Sequence, residues 1–139
     1  MHHGKQKMTI KEIHTNPDIA QELHGNVLVV EYIDRDNYEE YIGKTVKVIG
    51  DVNLINLNLT KLPINFTEVR GNFNCSDNKL TSLVGAPTKV GMDFYCSYNE
   101  LTTLEGAPKE VGRDFYCLNN PLKLTKGLPE FIGGELYID

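Results

Sequence analysis

The sequence predicts a β-rich α/β fold, namely a solenoid of about 21-residue units with short parallel strands and an N-terminal α/β cap. The first indication is a strict repeat, since Cys75, Cys96 and Cys117 lie 21 residues apart. The same step relates whole columns of residues, among them Phe73, Phe94 and Phe115; Gly85, Gly106 and Gly127; and Val69, Val90, Val111 and Ile132. Internal repeats of this length are typical of stacked arrays, in which each unit buries its apolar face against its neighbours.

A single unit has the pattern of a strand, a turn and an irregular return. Phe73 and Cys75 are two residues apart, so both lie on one face of a short strand. The triplet Ser-Asp-Asn then turns the chain, and Leu80 and Leu83 follow at a looser spacing before a Gly-Ala-Pro break. Because this return contains Gly, Pro, Ser and Thr, a helix is disfavoured. We therefore expect strands on one side of the coil, about 4.8 Å apart, and turns or extended segments on the other.

The repeat also predicts the domain organisation. Counting one unit back from the first clear copy adds a divergent copy at Val52, Leu54, Leu59 and Leu62. The solenoid is therefore predicted over 48–139, and residues 1–47 are predicted to cap the open end of its core, as repeat arrays require. With 139 residues, 40% of them hydrophobic, the chain is expected to form a single domain overall.

The predicted cap contains candidate helices and strands. Residues 9–12 have the form of a capping box, and 16–25 offer an Asn cap, a proline at the first helical position and a glycine stop. The stretches 26–33 and 44–50 are rich in β-branched residues and predict strands that extend the sheet. The polar stretch 34–41 between them is expected to form a helical turn or a loop.

Two histidines of the cap, His14 and His24, lie near the predicted helix ends. No motif places a nucleophile or a carboxylate beside them, so surface or capping roles are expected rather than catalysis. The alternative hypothesis is that the cap itself takes part in recognition.

One family resemblance is carried by the residues of the unit. The order Phe73-x-Cys75-x-x-Asn78-x-Leu80-x-x-Leu83 resembles the leucine-rich repeat pattern L-x-L-x-x-N-x-L-x-x-L, with Phe and Cys at two leucine positions. Units of this length with a proline-containing return are similar to the short bacterial-type repeats of secreted effectors and of small proteins from bacteria and phages. The resemblance covers about 48–139, and it implies a leucine-rich repeat solenoid.

Two positions depart from the family pattern. Leu57 stands where the family has Asn, which predicts that the asparagine ladder begins only at Asn78. Thr125 stands at an apolar position whose role passes to Leu124, so the conformation of the turn after Asn120 is left open.

The resemblance implies a structural role for the asparagine ladder, which comprises Asn78, Asn99 and Asn120. In the family this side chain sits inside the turn after the strand and satisfies backbone groups of neighbouring coils. Such groups would cost about 1 to 3 kcal/mol each if buried without a partner. An amide used to bind a ligand is the alternative.

The cysteine column, Cys75, Cys96 and Cys117, is predicted to be a ladder of buried free thiols that pack as small hydrophobes. The strand spacing would permit a disulfide, but parallel in-register neighbours point the same way and an odd number leaves one unpaired. No histidine or acid accompanies these thiols at metal-ligand spacing, so neither a metal site nor a cofactor is predicted. Reduced thiols are typical of the cytoplasm, which is the predicted location.

If Phe and Cys point inward, the residues between them form outward columns. The columns are Asp51, Asn72, Asp93, Asp114 and Glu135; Asn53, Asn74, Tyr95, Tyr116 and Tyr137; and Ile55, Ser76, Ser97, Leu118 and Asp139. Stacked acids repel, so folding alone offers no reason for the first column. Tyrosine supplies contact area with a hydrogen-bonding tip. The predicted partner-binding residues are Asp93, Tyr95, Asp114, Tyr116, Leu118, Glu135 and Tyr137. The alternative interpretation is that the tyrosines are present for their strand propensity and the acids for solubility.

Charge and motifs narrow the class of function. A net charge of −5 argues against nucleic acid and anionic lipid as partners, and no apolar run approaches the roughly 18 residues of a membrane span. No glycine-rich phosphate loop, nucleophile elbow or metal-ligand pattern is present, so an enzyme is not expected. The predicted function is binding of a partner protein through the exposed strand face, with inhibition of a host or defence protein as one form.

The alternative function is assembly. The last unit is expected to place Leu136 and Ile138 inward on an edge strand, and such an edge is a template for pairing. A structural protein that forms homo-oligomers through this C-terminal strand is therefore the second hypothesis.

Overall fold

The computed structural model describes residues 26–139, so the helices predicted at 9–12 and 16–25, with His14 and His24, lie outside the described residues. The described chain is a parallel β-solenoid of about five turns with about 21 residues per turn. This confirms the β-rich solenoid that the repeat predicts.

Each coil contributes a short strand to one or both of two parallel sheets. Sheet A has the order β1-β2-β4-β6-β8-β10, and its strands are β1 (Val27–Val30), β2 (Thr45–Val48), β4 (Asn65–Val69), β6 (Lys89–Val90), β8 (Glu110–Val111) and β10 (Phe131–Ile132). Sheet B has the order β3-β5-β7-β9-β11, and its strands are β3 (Val52–Asn53), β5 (Phe73–Asn74), β7 (Phe94–Tyr95), β9 (Phe115–Cys117) and β11 (Leu136–Ile138).

Sheet B pairs each strand with its copy one repeat away. Phe73 lies opposite Phe94, and Phe94 opposite Phe115, so identical side chains stack directly. The ring centroids are 5.4 and 5.1 Å apart, and all three rings are fully buried. Phe66 of β4 meets Phe73 edge-on at 5.0 Å, which joins the two sheets in one core. The 21-residue period of the sequence is thus the period of strand pairing.

Sheet A differs from the expectation of turns and extended segments on the return side. The returns form the strands β6, β8 and β10, which pair with one another in parallel. Their core residues Val90 and Val111 are buried. The signal was present in the sequence, because a β-branched residue recurs there in every unit and such residues favour strands.

The strands predicted at 26–33 and 44–50 are present as β1 and β2. They pair in parallel, and β2 also pairs with β4, so this segment extends sheet A. The predicted boundary between residues 47 and 48 falls inside β2. The polar stretch between β1 and β2 contains a 3-10 helix, Tyr38–Tyr41, whose Tyr41 is buried against the core.

The corners between sheet A and sheet B bring consecutive coils very close together. Gly91, Gly112 and Gly133 occupy one column there, and a methyl group on Gly112 would overlap the carbonyl oxygen of Gly91. Only glycine allows backbones to approach this closely. The column of glycines is therefore required by the tight stacking.

The last coil is less buried than the others. Phe131 is 55% exposed and Leu136 is 38% exposed, whereas Ile138 packs partly against the core. Leu124, to which the sequence pattern transferred an apolar role, is 58% exposed, so its side chain does not enter the core. The contact with the core at this turn comes instead from Leu122, which is half-buried.

Candidate functional site on the outer face of sheet B

The asparagine ladder lies in the turn that follows each sheet B strand. The Oδ1 atom of Asn78 accepts hydrogen bonds from the backbone N–H groups of Leu57 and Leu59, at 2.9 and 3.0 Å. Its Nδ2 group donates to three carbonyl oxygens, two in its own coil and that of Leu54 in the preceding coil. The asparagine of one coil therefore accepts from the N–H groups of the preceding coil, which here carries Leu57.

Asn99 and Asn120 repeat this pattern in the next two coils. Asn99 Oδ1 accepts a hydrogen bond from the backbone N–H of Leu80, and Asn120 Oδ1 accepts one from the backbone N–H of Leu101. The Nδ2 groups donate to the carbonyl oxygens of Cys75 and Cys96, respectively, each in the preceding coil. Each side chain therefore connects two coils through hydrogen bonds to backbone groups.

The cysteine column is also interior. Cys75, Cys96 and Cys117 are free and fully buried. The thiols of Cys75 and Cys96 each donate to a backbone carbonyl of the next coil at 3.4 Å. Burial raises the pKa of both thiols, which keeps them protonated. No group of three or more metal-ligating side chains is found in residues 26–139.

The acidic column proves to be part of the scaffold as well as of the surface. Asp93 Oδ1 accepts a hydrogen bond from Asp114 N at 2.9 Å, and Asp114 Oδ1 accepts one from Glu135 N at 2.8 Å. Asp51 and Asn72 make the same bond to the coil that follows each of them. These N–H donors offset the repulsion between stacked carboxylates, so folding does supply a reason for Asp or Asn in this column.

The three outward tyrosines form a stack beside the acids. The rings of Tyr95 and Tyr116 lie 4.7 Å apart and those of Tyr116 and Tyr137 lie 4.6 Å apart, in nearly parallel planes. The hydroxyl of Tyr95 donates to Asp93 Oδ2 at 3.1 Å, and that of Tyr116 donates to Asp114 Oδ2 at 3.0 Å. The stacking covers both faces of the middle ring, so the surface presents ring edges and bonded hydroxyls in fixed positions.

The remaining predicted residues lie at the end of this face. The backbone N–H of Leu118 donates to Ser97 Oγ at 3.0 Å, and its side chain is half-buried. Glu135 is exposed and meets Asp114 through its backbone N–H. The structure thus brings Asp93, Tyr95, Asp114, Tyr116, Leu118, Glu135 and Tyr137 onto one continuous surface, which we call the tyrosine face.

Tyr98 adds a residue that sequence reasoning missed. It has a φ of 57° and is 57% exposed, and its backbone N–H donates to the carbonyl of Leu118 at 2.9 Å. The same position in other coils holds Asn56, Asp77 and Asn119, residue types that tolerate this left-handed conformation. A tyrosine there costs about 1 to 2 kcal/mol. The signal in the sequence was a single aromatic residue in a column of Asn and Asp.

Comparisons with known proteins assign no family to the chain: no family model matches it, and no match is found among curated proteins or solved structures. Within the described range, 26–139, there is no helix with the length and apolar composition that crossing a membrane requires.

The bond between Tyr116 and Asp114 predicts a pH effect. This hydrogen bond, with smaller contributions from burial and nearby negative charge, raises the pKa of Tyr116 to about 12 from its ordinary value of 10.0. The neutral phenol is the form that the fold favours. Its stabilising contribution is therefore complete below about pH 10 and is lost as the pH rises through about 12.

Replacing Asp114 with Asn is expected to lower the pKa of Tyr116 towards 10, because the charged acceptor is removed. The measurement is the tyrosinate absorbance as a function of pH, with Tyr116→Phe used to assign the transition. Asp77→Asn is the matched control, since Asp77 lies in an exposed turn. An unchanged Tyr116 transition in Asp114→Asn would contradict the assigned cause.

Proposed function

We propose that the protein is a binding module for another protein, which docks on the tyrosine face extended by Tyr98. The observation that carries the proposal is Tyr98 itself. It is a large exposed side chain, 57% accessible, in a backbone conformation that disfavours it. Residues held in such conformations concentrate at functional sites, where a gain other than stability retains them.

The rigidity of the tyrosine face supports the same proposal. Stacking and carboxylate bonds hold Tyr95 and Tyr116 in place before any partner arrives. A partner would therefore lose little side-chain freedom on docking, which is one of the main costs of association. Tyrosine is also enriched among the residues that dominate binding free energy.

The charge of the face indicates the chemistry of the partner. Asp93 and Asp114 stand one coil apart, with exposed Glu135 one coil further along. The whole chain carries a net charge of −5. A basic protein surface fits this column, because opposite charges speed association and fix orientation. Inhibition of a host or defence protein is the form that we propose for this binding, in a cytoplasmic setting.

Kinship with leucine-rich repeat proteins is part of the proposal. Its support is the order of Phe, Cys, Asn and Leu in each unit together with the backbone bonds of the asparagine ladder. Binding through an exposed strand face is what that resemblance implies.

The test compares two tyrosines of nearly equal exposure. Tyr98→Asn is expected to raise the free energy of unfolding by about 1 kcal/mol, because Asn tolerates positive φ. It is also expected to lower recovery of the partner by about tenfold or more in affinity capture from the native host lysate. A loss of binding in a more stable variant cannot be caused by unfolding.

Tyr32→Asn is the matched control, since Tyr32 is 54% exposed and lies in the first coil, away from the tyrosine face. Wild type and Tyr32→Asn should recover the same protein in equal amount. Equal recovery by Tyr98→Asn would remove the tyrosine face from the proposal.

Self-association through the C-terminal strand is the second candidate. It is favoured by the exposure of Phe131 and Leu136 on the last coil and by the unpaired outer edge of β11 in the described chain. Sedimentation at increasing protein concentration should then show a dimer that Leu136→Ser weakens, because Leu136 lies on β11. A monomer at all concentrations would exclude this candidate.

A further inference from the structure

The tyrosine stack ends at a cleft. In the column of Tyr95, the two preceding coils carry Asn74 and Asn53 instead of rings. The amide of Asn74 covers less of the neighbouring ring than a phenol would. The ring face of Tyr95 on the side of Asn74 therefore borders an open space of about 270 Å³. The other residues lining this cleft include Asp51 and Asn72.

Some polar atoms of the cleft have hydrogen-bond partners within the described chain and others do not. The Oδ1 atoms of Asn53, Asn72 and Asn74 each accept a hydrogen bond from a backbone N–H. Their Nδ2 groups donate no hydrogen bond to any residue of the described chain, 26–139, and each has two N–H donors. Asp51 Oδ1 accepts from Asn72 N, which leaves Oδ2 as an acceptor. The cleft therefore offers several N–H donors, one carboxylate oxygen and one flat aromatic face.

This inventory selects among ligand classes. A guanidinium or ammonium group has only donors and would face the N–H groups of three asparagines. An anion would meet the carboxylate of Asp51 in a chain of net charge −5. A ligand that fits must supply oxygen acceptors, a few hydroxyl donors and a flat apolar face. A sugar ring has all three, since its C–H face is apolar and its hydroxyls both donate and accept.

We propose that this cleft binds a neutral saccharide. The C–H face of one sugar ring stacks on Tyr95, the hydroxyl oxygens accept from the amides of Asn53, Asn72 and Asn74, and one hydroxyl donates to Asp51. Pockets of this kind combine an apolar surface for affinity with a few placed polar groups for orientation.

A second cleft gives the saccharide room to extend. It has a volume of about 260 Å³ and shares Asn53 with the first. Asp34, Arg35 and Asp36 line its other side. These side chains supply both donors and acceptors, which suits a second sugar ring. The ligand class is therefore a neutral oligosaccharide of at least two units.

This activity goes beyond the proposed docking of a protein, and its site shares only Tyr95 with the tyrosine face. The saccharide site uses the face of the Tyr95 ring that is turned towards Asn74. The tyrosine face presents ring edges and acids of the later coils to the protein partner, together with Tyr98. The two sites can therefore be altered separately.

The experiment is a titration of the whole protein with glucose, galactose, N-acetylglucosamine, cellobiose and chitobiose, followed by the NMR signals of the asparagine side-chain amides. Shifts are expected at Asn53, Asn72 and Asn74 together with the ring of Tyr95. The central variant is Asn74→Tyr, which continues the existing stack by one ring and covers the free face of Tyr95. It is expected to fold, because tyrosine already occupies this column in the next three coils, and to weaken binding at least about tenfold.

Tyr137→Ala is the matched control, because it removes the ring at the opposite end of the stack and leaves the cleft intact. Retained saccharide binding in this variant, with loss in Asn74→Tyr, would support the proposal. Absence of shifts with all five sugars would overturn it, as would shifts that persist in Asn74→Tyr. Recovery of the protein partner by Asn74→Tyr distinguishes failure here from failure of the proposed docking.

Discussion

Replacing Asn78 with alanine is expected to lower the free energy of unfolding by about 3 kcal/mol or more. The side chain makes five hydrogen bonds, two to backbone N–H groups and three to carbonyl oxygens. It is only 8% exposed, so water replaces few of these partners. Each buried backbone group that loses its partner costs about 1 to 3 kcal/mol.

Urea denaturation followed by circular dichroism measures this loss. Asn65→Ala is the control, because Asn65 is exposed and makes a single side-chain bond, to Thr45 Oγ1 at 3.3 Å. Its effect should stay within about 0.5 kcal/mol. Similar decreases in the free energy of unfolding of the two variants would show that the asparagine ladder does not stabilise the turn.

Replacing Gly112 with alanine is expected to cost a similar amount for a different reason. A methyl group at this corner would overlap the carbonyl oxygen of Gly91 in the preceding coil. Both atoms belong to rigidly paired backbones, since Gly112 N also donates to Val90 O at 2.8 Å. Relief of the overlap requires the coils to separate locally, and overpacking of this kind costs about 1 to 3 kcal/mol or more.

Gly43→Ala distinguishes overlap from backbone strain. Gly43 has a φ of 78°, but a methyl group there would have no atom within 4 Å. Its replacement should therefore cost only the strain of positive φ, about 1 kcal/mol. The midpoint and slope of denaturation of both variants provide the comparison. A larger loss for Gly43→Ala than for Gly112→Ala would contradict the role assigned to close coil contact.

The interior of the solenoid was largely predictable from the repeat. Phe73, Phe94 and Phe115 recur at one step, and a parallel in-register stack is the arrangement that buries all three. The strands of sheet A were harder to predict, because the recurring β-branched residue was their one signal and two-residue strands such as Lys89–Val90 leave almost no alternation to detect. Their pairing depends on neighbours 21 residues away, which local patterns do not report.

The residues of the outward surface could be predicted from the sequence, but their hydrogen bonds could not. The sequence placed Asp93 and Tyr95 on one outward face, and the structure brings them together there. It did not reveal that Asp93 also accepts a backbone N–H from the next coil, because that bond depends on the distance between coils. Tyr98 was missed because a tyrosine is unusual there only when the positive φ of its column is known, and that conformation is seen in the structure.

The register of sheet B also has an evolutionary consequence. In the middle of the array, core residues meet the same residue type one unit away, as Phe94 does between Phe73 and Phe115. A gene duplication that adds one complete unit in the middle of the array would therefore create no new kind of contact. It would lengthen the phenylalanine, cysteine and tyrosine columns by one member each. An array of this kind can thus change in length by whole units, while a substitution between Asn and Tyr in the outward column exchanges an amide for an aromatic ring on the surface.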